Sequence, residues 1–253
     1  MPGADSEERK EAPRPAGAAS SVRLRLRSRL WNDQQNPSVT YILPFVVFML
    51  FLAVGRYLPL SPAIESPLRV CLLAAVCWLC WPAECSFVPR APIATVLLGV
   101  AVFALWIAPD VLVPGYRQSL LFNNHLFGIG QSSSPDASHW SAWLLSWRFA
   151  RAALIVPIVE ELFWRAWLLR WVIRVDFWRV PMGTYETKSF FVVAGLFALE
   201  HGSYWDVGLL TGILYNWWMV RTKSVADCIL AHAVTNACLS AYVIARGQWQ
   251  YWP

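Results

Sequence analysis

The chain has 253 residues, of which 57% are hydrophobic and only 15% charged, with a formal net charge of +5 and a mean hydropathy of +0.42. A water-soluble domain carries roughly 25% charged residues to clothe its surface, so this composition argues for a bilayer as solvent. The positive charge lies largely as Arg near the ends of apolar runs, with no basic stripe beyond the N-terminal arm, which speaks against a nucleic-acid partner.

The chain order predicts a polar arm followed by spans. Residues 1–38 form a basic arm, disordered over 1–20, where Pro, Ala, Gly and charge mix. The alternation Val22, Arg23, Leu24, Arg25, Leu26, Arg27 suits a short strand or a basic segment lying on anionic lipid. No early apolar stretch resembles a signal peptide, so the first apolar helix is expected to serve as an uncleaved anchor. Apolar runs near 20 residues, the length that crosses a bilayer, fall at about 40–58, 68–86 and 91–109. The second is interrupted by Pro82 and Glu84. A polar stretch over 110–140 with Asn123, Asn124, His125 and Ser132–Ser134 reads as loop, with a short interfacial helix around 118–127.

Further spans are predicted at about 141–163, continuing as helix to about Ile173, then at 188–201, 204–220 and 224–244. The short run at 188–201 suggests a re-entrant or shielded helix inside the bundle. Seven spans bring the Arg and Lys of the N-terminal arm, the 165–188 segment and the 221–223 turn to one side, which the positive-inside rule makes cytoplasmic. The sixteen Trp suit headgroup positions. The expected fold class is all-α: a polytopic transmembrane bundle of about 7–8 helices with an internal polar cavity. Its parts are the arm, N-terminal helices and loop over 39–140, and a core over 141–253. Cys71, Cys77, Cys80, Cys85, Cys228 and Cys238 read mainly as core or lipid-facing thiols, with a metal or redox site the lesser alternative.

Ionisable groups inside spans are costly and mark pairs or function. Glu160 and Glu161 project about 100° apart on a helix, and Glu161 with Arg165 has the i,i+4 spacing of an ion pair. Glu160 is then the freer carboxylate, able to take a proton from water; the plain alternative is two interfacial carboxylates capped by Arg. His201 closes the run Phe197-Ala198-Leu199-Glu200-His201. His232 and Asn236 share one helical face and either donate toward a developing oxyanion or glue helices together. Together these residues compose a hydrolase site without a Ser or Cys nucleophile. Glu160, His201 and His232 are alternatively a zinc set, although no His-Glu-x-x-His motif is present. Arg148 and Arg151, three apart, either pair within the bundle or bind a substrate carboxylate.

The segments Glu160-Glu161-Leu162-Phe163-Trp164-Arg165, Phe197-x-x-x-His201 and His232-x-x-x-Asn236 resemble, in order, the three motifs of the CAAX-protease and bacteriocin-processing family. The resemblance covers about 141–244 and implies an all-helical bundle around a conical cavity. It implies Glu160 as general base, His201 positioning water, His232 and Asn236 as the oxyanion site, and Glu161 and Arg165 in support. No cofactor is favoured, with Zn as the alternative. The implied substrate is a membrane protein or lipidated peptide. The chain most resembles the bacterial subgroup found with exosortase systems, which implies the inner membrane, a cytoplasmic N-terminus and an exosortase-system partner. An inactive membrane scaffold, a bacteriocin-immunity protein and a transporter are the competing readings.

Overall fold

The structure, a computed structural model, describes residues 18–30, 35–122 and 140–252. The expectations placed on Asn123, Asn124, His125 and Ser132–Ser134, and on the first 17 residues, lie outside this set. The described chain is an all-α bundle of eight helices. They are α1 (Ala18–Leu30), α2 (Val39–Val54), α3 (Pro62–Cys80), α4 (Pro92–Leu112), a long α5 over 142–171, α6 (Thr187–Glu200), α7 (Trp205–Thr222) and α8 (Val225–Arg246). Three of them, α3, α4 and α8, are long and apolar enough to cross a bilayer, and α2 is a shorter apolar helix. The protein is therefore an integral membrane protein.

Element limits follow local chemistry. Pro62 and Pro92 open α3 and α4 at the first helical turn, where the missing N–H costs nothing. Gly247, at φ 65°, closes α8 in the left-handed conformation that glycine adopts without penalty. Glu186 caps α6 by accepting from the Ser189 and Lys188 N–H groups at 2.6 and 3.0 Å. Those two donors hold its carboxyl below the ordinary carboxylate range, so the cap is intact above that range and fades as pH falls through the lowered value.

The alternating stretch at 22–30 is helix α1 and not a strand. A lone strand would leave its backbone donors and acceptors unpaired, whereas a helix satisfies them within itself. Arg27 of α1 is buried and donates to Trp81 O at 3.2 Å. Of the interfacial helix expected around 118–127, residues 119–122 are bend and turn after a 3-10 turn at Tyr116–Gln118, and the portion beyond Phe122 is outside the described residues.

Polar ties gather at the two ends of the bundle. At one end Glu84 Oε1 accepts from Tyr41 Oη at 2.6 Å and Arg170 Nη2 at 2.8 Å. Asp227, on the first turn of α8, caps the start of α4. Its Oδ2 accepts from Arg90 N at 2.6 Å, and its Oδ1 from Ala91 N at 2.9 Å and Thr95 Oγ1 at 2.8 Å. Asp227→Ala is expected to cost about 1.5–3 kcal/mol, the scale of hydrogen bonds to a charged group, visible as a lower Tm in detergent. At the other end Arg117 bridges Asp110 and Asp206 at 3.2 and 2.7 Å and donates to Ser203 O. Tyr251 Oη donates to Asp110 there, which folds the C-terminal residues back over the bundle.

The described cysteines are all free. Burial pushes the Cys85 thiol up to about 12, which keeps it a protonated, unreactive packing group.

Candidate active site

The site begins with a break in helix regularity. Within α5, Arg151–Ile155 and Leu162–Leu168 are wound as π-helix, flanking the α-helical turns Val156–Glu161. Pro157 explains the first widening. Val156 N–H reaches back five residues to Arg151 O, and Pro157 has no N–H, so Ala152 O receives neither its i+4 nor its i+5 donor. Asn236 Nδ2 on α8 supplies the bond to Ala152 O, at 2.9 Å. One of the two amide hydrogens is thereby used and the other remains.

Glu160 and Glu161 diverge as the helical geometry requires. Glu161 is fully buried, and its Oε1 receives Arg165 Nη1 at 3.0 Å and His232 Nδ1 at 2.8 Å. Arg165, equally buried, also lies over the faces of Phe197 and Tyr215, 4.3 and 5.3 Å from their centroids. Glu160 instead lines a cleft of about 380 Å³ together with His201, His232 and Asn236. Its Oε2 is buried and has no hydrogen-bond partner among the described residues.

The partners of the two imidazoles fix their tautomers. His201 Nδ1 lies 2.7 Å from Phe197 O, and a carbonyl only accepts, so Nδ1 carries the hydrogen. His232 Nδ1 likewise faces a carboxylate. Each neutral ring therefore keeps Nε2 as a bare acceptor. Donation from His232 Nε2 therefore requires the doubly protonated ring.

His201 is placed by close helix packing. Gly208 and Gly212 form a small-xxx-small stripe on α7 that meets Ala198 and Ala194 of α6. A Cβ at Gly212 would lie 3.1 Å from Ala194 O, and one at Gly208 only 3.3 Å from His201 Cβ. Gly208→Val is expected to displace His201 and to cost about 1–3 kcal/mol through overpacking. A thermal melt paired with an activity assay checks this.

The two flanking arginines part company. Arg151 lines the cleft. The Arg148 guanidinium lies over Trp140 and Trp252, 4.3 and 5.3 Å from the ring centroids. Sequence reasoning passed over two residues, Pro157 and Glu200. Pro157 was a visible helix-breaking signal. Glu200, beside His201 in the chain, also lines the cleft, and its Oε2 accepts from Trp164 Nε1 at 3.1 Å.

Among the described residues no group of three His, Cys, Asp or Glu side chains converges into a ligand set.

Residues 141–238 match the family described as Type II CAAX prenyl endopeptidase Rce1-like. No curated protein and no solved structure matches the chain.

Proposed function

We propose, from the match of residues 141–238 to the family described as Type II CAAX prenyl endopeptidase Rce1-like, that this protein is a membrane-embedded endopeptidase using a glutamate-activated water. The observation that carries the reading is the cleft itself. Side chains from α5, α6 and α8 line it together, Glu160 among them, and the buried Glu160 Oε2 has no hydrogen-bond partner among the described residues.

In this reading Glu160 takes a proton from water as the water oxygen attacks the scissile carbonyl. His201, held through Nδ1 by Phe197 O, offers Nε2 to the same water. The oxyanion forms against His232, in its charged form, and the second hydrogen of the Asn236 amide. Glu161 and Arg165 act through position: Glu161 orients His232 through its Nδ1, and Arg165 holds Glu161 in place. A metal-free reaction is the simplest account of this side-chain set.

The cleft walls favour an apolar or lipid-bearing chain. Phe48, Met49 and Leu52 of α2 form one side, and a membrane-anchored or lipid-modified polypeptide matches them. Arg151, which lines the same cleft as the acid and imidazole groups, suits a substrate carboxylate or carbonyl oxygen. The Arg and Lys of the N-terminal arm, the 165–188 segment and the 221–223 turn support a bundle with its N-terminus in the cytoplasm of a bacterial inner membrane.

The test is cleavage by the purified full chain in nanodiscs. Farnesylated and unmodified CAAX-type peptides serve as probes, with products read by mass spectrometry. Cleavage that depends on Glu160 and falls in Arg151→Gln through KM supports the reading. Intact peptides, with the fold preserved, would favour a scaffold.

A further inference from the structure

Glu200 fills an unspecified position of the second sequence motif, yet it lines the same cleft as the motif residues. It follows α6's last apolar turn and directly precedes His201. The Trp164 indole fixes it, because an indole N–H can only donate and Glu200 Oε2 accepts it at 3.1 Å. Trp164 itself lies four residues, about one helical turn, beyond Glu160 on α5, and is buried. The indole thus ties a second carboxylate to the wall that carries the first. Glu160 and Glu200 line the same cleft. The other ionisable groups around the pair are Glu161 and Arg165 on α5, Arg151 at its wide turn, His201 at the end of α6 and His232 on α8.

We infer that Glu200 is a second catalytic carboxyl, protonated at rest in the cleft it shares with an ionised Glu160 and delivering its proton to the leaving amine. This rests on the hydrolase reading above. Two carboxylates in one low-dielectric cleft repel, and one proton between them removes that cost. It also divides the labour, leaving one base and one acid.

The protons balance. Water oxygen bonds to the carbonyl carbon, one water proton goes to Glu160, and the carbonyl electron pair moves to oxygen. When the intermediate collapses, the C–N bond breaks and nitrogen takes the Glu200 proton. The product carboxylic acid then returns its proton to Glu200. The Glu160 proton passes to the amine, which leaves as ammonium beside a product carboxylate.

The experiment uses the full chain in nanodiscs and has two arms. Infrared spectra at neutral pH are expected to show a protonated carboxyl band, shifted in D₂O, that disappears in Glu200→Gln and changes in Glu160→Gln. A wild-type band indifferent to Glu200→Gln overturns the inference, whatever the turnover. In the second arm a peptide amide is compared with the matching ester of an acidic phenol, whose departure needs no proton. Glu200→Gln is expected to lose at least ~10²-fold on the amide, the scale of general acid catalysis, and far less on the ester. Equal losses on both overturn the acid role. Trp164→Phe, which frees Glu200 while keeping the ring, is expected to lose less than Glu200→Gln; equal losses again count against it. Wild-type protein inert toward both probes would instead sink the hydrolase reading, a result separate from the infrared band.

Discussion

Glu160→Gln is expected to abolish measurable peptide cleavage, a fall of about 10²- to 10⁴-fold or more, while the protein still melts cooperatively. The substitution keeps the volume and removes only the ability to take a proton. Glu160 Oε2 has no hydrogen-bond partner among the described residues, so the swap breaks no such bond at that atom. Activity is measured on the farnesylated peptide, and stability by thermal unfolding in the same detergent. A variant that cleaves like wild type would remove Glu160 from the chemistry. A variant that fails to fold would give the residue a structural role instead.

Arg165→Met is expected to behave in the opposite way, with stability lost first and activity lost as a consequence. Arg165 and Glu161 are both fully buried. Removing the cation leaves a carboxylate in the core with His232 as its side-chain partner among the described residues, and breaking such a pair from one side costs about 3–5 kcal/mol. The double variant Glu161→Leu with Arg165→Met should recover much of that stability, because neither charge then remains to be desolvated. It should not recover activity, since His232 loses the carboxylate that fixes its Nδ1 hydrogen. Thermal melts of the two single variants and the double variant form the check. Additive losses would mean that the two side chains do not act as a pair.

Much of this molecule is legible in its sequence, for reasons of solvent. Lipid cannot satisfy backbone polar groups, so apolar runs bounded by Pro, Gly and charge must be helices. The predicted spans at 91–109, 188–201, 204–220 and 224–244 lie within a few residues of α4, α6, α7 and α8. The Glu161–Arg165 pair follows from spacing along one helix and is present. The limits were set elsewhere. The α3 helix starts at Pro62, ahead of the predicted 68, because the i,i+4 partners Glu65 and Arg69 pair within its first turns. Charged groups that the sequence alone counts as interruptions there form an ion pair.

What sequence by itself determined was the solvent, the helices and the residue types that make acid, imidazole and amide available. Tertiary structure decided how they are used. It turned the Asn236 amide to Ala152, tied His232 to Glu161, separated Arg151 from Arg148, and brought Glu200 into the cleft. The physical reason is that helical periodicity gives the face on which a side chain lies. Which group meets that face depends on helices distant in the chain, and on a π-helical turn whose carbonyl Pro157 leaves to be capped from outside.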